Sequence, residues 1–248
     1  MTVFRESASI DIAEGKAIRP LFRSDAEIAI REVVEDWLRA RVVEARIMHE
    51  VNMCQGGARV DVLAVGTAVL AGVEIKGPWD NSDRLINQLA SFRLALPELW
   101  LVAAGRMVAE TFEFASYLFP SLGLVEVVHD SFGPAGAAGW CEANYRAAWG
   151  GNFAGSRDVD RAMLSLRVHQ EATVVAPFDR GLLNVLWVEE LRRAAARARV
   201  WQGKSATHRP LVEALMVLTT SEKIAAVCEE LRCRPTLHRA DAPRGPEC

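Results

Sequence analysis

Two acidic residues and a lysine lie close together in the sequence and could jointly hold a metal ion beside a phosphate. They are Asp61, Glu74 and Lys76. Carboxylate oxygens are hard ligands that suit Mg²⁺ or Mn²⁺, and such an ion can polarise a phosphoryl oxygen and lower the pKa of a bound water. A nearby lysine ammonium could orient that water or stabilise charge developing on phosphorus. These residue types therefore indicate metal-assisted hydrolysis of a phosphodiester bond.

The elements that carry these residues are predicted to be two strands of a hairpin. Residues 59–65 and 68–76 are apolar and rich in β-branched side chains, with no proline inside either run. Gly66-Thr67 between them suits a two-residue type II′ turn. Because side chains alternate along a strand, Glu74 and Lys76 share one face.

This turn predicts a register for the hairpin. If Val65 pairs with Ala68, then Asp61 lies opposite Gly72, which would leave an open notch beside the aspartate. Glu74 is then the diagonal neighbour of Asp61 on the same face, at roughly 7–8 Å between Cα atoms. The two carboxylates are therefore expected to converge.

An ordinary structural role is the alternative for these charges. Asp61 could be a solvated strand residue, and Glu74 and Lys76 could face outward. However, the strands are otherwise almost wholly apolar, which predicts that both of their faces are covered. Buried charges are costly unless they are paired or bound to metal, and this favours a catalytic type of site.

At this spacing the chain resembles the PD-(D/E)XK nuclease superfamily, which has the restriction-endonuclease-like fold. The resemblance is densest over residues 44–104, and Val60 stands where the superfamily often has proline. A fuller set of residues in this chain resembles small bacterial and prophage proteins of the superfamily. That set comprises Arg59, Asp61, Glu74, Lys76, Asp80, Arg84, Leu85, Gln88 and the later Leu186-Trp187-x-x-Glu190-Leu191.

The resemblance implies a role for each matching residue. Asp61 and Glu74 would be metal ligands, Lys76 the catalytic lysine and Gln88 the accessory residue on the following helix. We also expect Arg84, on the same side of that helix as Gln88, to support the site or contact a phosphate. The alternative for Gln88 is a half-buried position at the flank of the helix.

Glu50 is a candidate third metal ligand. It lies in a predicted strand over residues 46–53, where Ile47, Val51 and Met53 share one face and Glu50 takes the other. The resemblance also implies an acidic residue upstream of the aspartate. The alternative is a solvated carboxylate paired with Arg46 or Arg59.

Glu27 is the rival for this third position. It lies in the first predicted helix, and Ser24-Asp-Ala-Glu27 has the pattern of a capping box. In such a box the glutamate returns a hydrogen bond to the serine main chain. We therefore expect Glu27 to cap the helix.

Composition and cysteine usage indicate a cytoplasmic globular protein. The chain has 248 residues, of which 50% are hydrophobic and 25% charged, with a net charge of −3. No signal peptide or membrane-spanning run is visible. Five cysteines without a CxxC pair favour reduced thiols over a disulfide framework or a zinc site. The slightly negative charge argues against a generic nucleic-acid coat protein but not against a nuclease.

The order of predicted elements indicates an α/β fold with a mixed sheet flanked by helices and a C-terminal helical extension. Helices are expected over residues 24–43, 83–96 and 107–119, with further strands over 99–104 and 123–129. The predicted organisation is a nuclease-like core over 1–130, a Gly/Ala-rich loop or linker over 131–156, a helical extension over 157–234 and a disordered tail over 235–248. Within the helical extension, one helix is expected over 182–200 and one or two more within 211–231.

Arginines in the helix over residues 182–200 could contact a phosphate backbone. They are Arg192, Arg193 and Arg197. An arginine-rich solvated face is the alternative, and such runs are usually solvated. The sequence thus predicts a Mg²⁺- or Mn²⁺-dependent nuclease acting on nucleic acid, with DNA the expected substrate and no membrane partner. A catalytically inactive nuclease-fold module that binds nucleic acid or a protein is the alternative, and a homodimer or a separate helicase, phage or repair partner is left open.

Overall fold

The protein is an α/β protein built on one six-stranded mixed sheet. The computed structural model describes residues 25–53, 57–78, 80–129, 164–201, 203, 206–235 and 241. The strands follow the chain in the order β1 to β6, and β3, β4 and β5 are mutually parallel while the other neighbours are antiparallel. Their bounds are β1 Arg46–Met53, β2 Ala58–Val65, β3 Leu70–Lys76, β4 Glu98–Ala104, β5 Gly123–His129 and β6 Leu164–Gln170.

Helices cover both faces of this sheet. In the described residues they are α1 Asp25–Arg41, α2 Leu85–Ala95, α3 Arg106–Leu118, α4 Asp179–Leu183, α5 Val188–Arg197, α6 His208–Leu215 and α7 Thr220–Cys233. Helix α1 packs its apolar stripe of Ile30, Val34 and Leu38 in one buried cluster. Helix α2 packs Leu85 and Leu89 in the other cluster, together with α4 to α7. The predicted α/β architecture with flanking and C-terminal helices is confirmed.

The predicted two-residue turn between β2 and β3 is wrong. Val65 pairs with Leu70 instead of Ala68, and the Gly66 N–H donates to the Val69 carbonyl at 2.8 Å across a longer connection. The true register differs from the predicted one by two residues. Because side chains alternate with a period of two, a register shift of two does not by itself move a side chain to the opposite face.

The notch expected at Gly72 is also wrong. Gly72 pairs with Leu63, and its face is filled by a side chain from the residue that follows α2. A Cβ built at Gly72 would lie 2.3 Å from Cδ1 of Leu96. The glycine is thus needed for close packing of α2 against the sheet and does not open a space for a ligand.

The C-terminal part contains a strand that the sequence reading missed. Residues Leu164–Gln170 form β6 and pair with β5, so this region belongs to the same sheet as the N-terminal part. The single helix predicted over 182–200 is two helices, α4 and α5. Leu182, Leu191 and Leu231 lie in the same buried cluster as α2, so the C-terminal helices share the core of the sheet.

Three smaller expectations concern the ends and the cysteines. The predicted linker over 131–156 lies outside the described residues. Asp241, in the segment expected to be disordered, donates its N–H to the Ile47 carbonyl at 2.9 Å, and its carboxylate pairs with Arg39. Cys233 is disulfide-bonded, contrary to the expectation of reduced thiols, whereas Cys228 is free and buried. Within the described ranges, no helix is long and apolar enough to cross a membrane.

Candidate active site

Strands β1, β2 and β3 bring three carboxylates into one row across the sheet. Glu50 and Asp61 occupy facing positions between two paired positions of β1 and β2, and Asp61 faces Glu74 just beyond the last pair of β2 and β3. The flanking pairs are His49 with Val62, Val51 with Val60 and Val62 with Val73. The predicted neighbourhood of Asp61 and Glu74 therefore arises from a direct facing position and not from the diagonal one.

Side chains of β1 and β2 lose their regular alternation between the two sheet faces at this row. Glu50 has a φ of 55°, a left-handed conformation that is rare for a residue with a side chain. Met48 and Val51 pack in the same buried cluster although an odd spacing should send them to opposite faces. In β2, Val60 and Val62 pack in different clusters despite an even spacing. The prediction that Val51 shares a face with Ile47 is therefore wrong, and strain of about 1–3 kcal/mol is concentrated at Glu50.

Lys76 is held between a strand residue and a helix residue. Its Nζ donates to Glu74 Oε1 at 2.9 Å and to Gln88 Oε1 at 3.1 Å. Gln88 reaches this position because Leu85 and Leu89 anchor α2 on the sheet, which leaves Gln88 at the flank of the buried stripe. The structure thus brings together the lysine, the glutamate and the glutamine that the sequence singled out.

Glu74 is buried with one oxygen unsatisfied. The residue is 2% exposed, and its Oε2 has no hydrogen-bond partner among the described residues. Burial, reinforced by the nearby Asp61 carboxylate, raises the pKa of Glu74 to about 8, although Lys76 and Arg31 oppose the change. A cation placed at Oε2 would remove both the unmet hydrogen-bonding need and the repulsion from Asp61.

Asp61 is fixed by one contact from the sheet and two from α1. Its Oδ2 accepts the N–H of Ile75 at 2.8 Å. Its Oδ1 accepts Nη2 of Arg31 at 2.6 Å, and its main-chain carbonyl accepts Nη1 of the same arginine at 2.8 Å. Asp61 is therefore pre-oriented, and the positive charge next to it is the Arg31 guanidinium.

Arg31 is the member of this cluster that sequence reasoning missed. Besides Asp61, its Nη2 contacts Glu27 Oε1 and Glu50 Oε1, each at 3.0 Å. Glu50 Oε2 pairs with Nε of Arg59 at 2.5 Å, as one of the sequence alternatives held. Ser24, the partner expected for Glu27 in a helix cap, lies outside the described residues. The spacing of four between Glu27 and Arg31 was the one available signal, since it places the two side chains side by side on a helix.

These residues fit a divalent cation held by two carboxylates. Asp61 and Glu74 would supply the oxygens, and Mg²⁺ commonly binds through one or two carboxylates while keeping several waters. Glu50, expected as a third ligand, has both oxygens in ion pairs with Arg31 and Arg59. Across the described part of the chain, no group of three or more His, Cys, Asp or Glu side chains is arranged to hold a metal. The fit therefore rests on the pair.

A polar cleft of about 550 Å³ opens beside the carboxylate row. Asp61 and Arg59 line it from β2, while Arg84, Asn87 and Gln88 line it from the start of α2. The Arg84 side chain is exposed and makes no hydrogen bond or ion pair with any described residue. An unpaired guanidinium at the rim of the cleft is suited to an anionic group of a ligand.

The arginines predicted on the C-terminal helix are placed elsewhere. Arg193 and Arg197 of α5 pair with Glu230 of α7, which is 1% exposed, and the Arg193 contact measures 2.6 Å. Arg192 pairs with Glu189 on its own helix. None of the three lines the cleft beside Asp61. The contacts of Arg193 and Arg197 join α5 to α7.

The later stretch that resembles superfamily members also has a structural explanation. Glu190 Oε2 accepts the N–H of Trp187 at 2.7 Å and so caps α5. The same carboxylate accepts Nε of the buried Arg234 at 2.6 Å, and the Arg234 guanidinium stacks 4.5 Å from the Trp187 ring centroid.

Comparisons of this chain with protein-family models, with curated proteins and with solved structures found no match.

Proposed function

We propose that this protein is a divalent-metal-dependent nuclease with a restriction-endonuclease-like core. One observation carries the proposal: Lys76 is fixed at 2.9 Å from Glu74, whose other oxygen is buried without a partner beside Asp61. Mg²⁺ or Mn²⁺ bound by Asp61 and Glu74 would polarise the scissile phosphate and activate water. The resemblance of the Asp61, Glu74, Lys76 and Gln88 pattern to the PD-(D/E)XK superfamily points the same way.

The chain's own residues supply the remaining requirements of hydrolysis. Gln88 and Glu74 hold the Lys76 ammonium in one place, so it can orient the attacking water without first being ordered. The ammonium also stabilises negative charge that develops on the phosphoryl oxygens. Arg84, free at the rim of the cleft, would bind a phosphate of the strand being cut. We propose DNA as the substrate.

A second candidate function is supported by Arg31. In the structure this guanidinium already neutralises Asp61, which is how a module without turnover would stabilise a retained acidic site. Such a module would bind nucleic acid or a protein through the same cleft. The intact set of Asp61, Glu74 and Lys76 favours the nuclease, since a binding module has no need of all three.

Cleavage of a panel of labelled nucleic acids tests the proposal. The panel contains single-stranded, double-stranded and branched DNA and RNA, each with Mg²⁺, Mn²⁺ or EDTA. Wild type is compared with the Glu74→Ala/Lys76→Ala double variant and with Arg180→Ala/Glu213→Ala. The control variant removes an exposed ion pair that lies outside the lining of the cleft. Its Nη2–Oε1 distance is 2.8 Å. Metal-dependent cutting that is lost only in the first variant supports the nuclease. Absence of cutting by wild type on every substrate favours the binding module.

A further inference from the structure

We infer that Arg31 is an internal counterion that competes with the divalent cation for Asp61 and thereby sets the affinity of the metal site. The inference rests on the proposed function, since it concerns the same carboxylates. It assigns a role to a residue of α1 that lies 30 positions before Asp61 in the sequence.

The contacts of Arg31 place its charge directly against the Asp61 carboxylate. Its side chain is 4% exposed, and its shortest contact, 2.6 Å, is to Asp61 Oδ1. The main-chain carbonyl of Asp61 accepts a second hydrogen bond at 2.8 Å. A dication that approaches Asp61 therefore meets a buried positive charge, and the repulsion between them is strengthened by the low local dielectric.

The structure also provides acceptors for Arg31 when Asp61 is given up. Glu27 Oε1 and Glu50 Oε1 each lie 3.0 Å from Nη2. Arg31 can thus release Asp61 Oδ1 and remain paired, which avoids leaving a buried cation alone. Glu50, which Arg59 holds through its other oxygen, is then a positioning residue for Arg31.

Isothermal titration of the metal-free protein with MnCl₂ alone tests this competition. In Arg31→Gln the competing charge is gone, so Mn²⁺ is expected to bind with a dissociation constant lower by about tenfold or more. Arg41→Gln is the matched control: it removes one positive charge from the same helix, and Arg41 pairs with Glu98 and Glu171 outside the lining of the cleft. Its dissociation constant is expected to stay within about threefold of wild type.

The outcomes separate this inference from the proposed function. Equal or weaker Mn²⁺ binding by Arg31→Gln overturns the inference, because a residue that merely orients Asp61 would weaken binding when lost. If wild type still binds Mn²⁺ and Asp61→Asn does not, the proposed metal site stands even though the inference about Arg31 is overturned. No binding by wild type or by Arg31→Gln overturns the metal site and the inference with it.

A measurement on wild type covers the case in which Arg31→Gln does not fold. The side-chain N–H resonances of Arg31 are assigned by their disappearance in Arg31→Lys and followed by NMR during titration with Mg²⁺. Loss of the Asp61 contact is expected to shift the Nη resonances as the site fills. Resonances that stay unchanged at saturating Mg²⁺ overturn the inference.

Discussion

The metal-free protein is expected to lose stability as pH rises, and Glu74→Gln should abolish that loss. Glu74 is 2% exposed and its pKa is raised to about 8 from the usual 4.5. In the unfolded chain the carboxyl ionises near its usual value, so between these two pKa values the native state holds a proton that the unfolded state has released. Stability therefore falls over this interval, by about 1.4 kcal/mol per pH unit at most.

The size of the effect follows from the two pKa values. The interval from 4.5 to about 8 corresponds to at most about 5 kcal/mol between low and high pH. Glutamine resembles the protonated glutamate and does not ionise. Wild type and Glu74→Gln should therefore have similar stability near pH 5, and the variant should be more stable by roughly 2–5 kcal/mol near pH 9.

Urea unfolding followed by circular dichroism measures this difference at several pH values in EDTA. The control is Glu213→Gln, which alters a partly exposed glutamate paired with Arg180. It should stay within about 0.5 kcal/mol of wild type without a trend in pH. A stability difference between wild type and Glu74→Gln that stays constant from pH 5 to pH 9 would refute the reasoning, because it would mean that Glu74 ionises normally in the folded protein.

Three further predictions concern the lysine, the cleft and the packing of α2. Lys76→Met should abolish cleavage while leaving DNA affinity within about threefold of wild type, since the lysine acts on the reacting groups; retained cleavage in a gel assay would remove Lys76 from the mechanism. Arg84→Gln should weaken DNA binding and lower the slope of log affinity against log salt by about 1 in fluorescence anisotropy, and an unchanged slope would contradict a phosphate contact. Gly181→Ala should lower stability by roughly 1–3 kcal/mol in thermal unfolding, because its Cβ would lie 2.2 Å from the Leu94 carbonyl oxygen of α2; wild-type stability would show that α4 and α2 can separate freely.

Local patterns predicted most of the elements around the site because each element has its own periodic signal. The strands over 46–53 and 123–129 match the structure residue for residue. Strand β6 carried an equally clear signal, since Leu164, Leu166 and Val168 alternate with polar residues. It was missed because all of 157–234 was predicted to be helical, and nothing local shows that an edge position next to β5 is open.

The register and the charges of the site could not be read from the sequence. A glycine after Val65 suits several hairpin loops, and Asp61 still faces Glu74 only because the register error was an even number of residues. The residue type at position 50 gives no sign that Glu50 adopts a positive φ. The contact of Arg31 with Asp61 joins residues 30 positions apart on different elements, and sequence spacing carries no information about such a pair.

The balance of charge explains how apolar strands tolerate so many ionisable groups. Among the described residues, four carboxylates meet three cations around the row, namely Glu27, Glu50, Asp61 and Glu74 with Arg31, Arg59 and Lys76. One negative charge is left over, and it falls where burial is deepest, at Glu74. Its excess can be removed by a proton, which the raised pKa of Glu74 describes, or by a cation at the free Oε2. In the proposed metal site, proton and metal would thus be alternatives at one oxygen. Filling that site near neutral pH should release a proton, and titrations in buffers of different ionisation enthalpy would measure it.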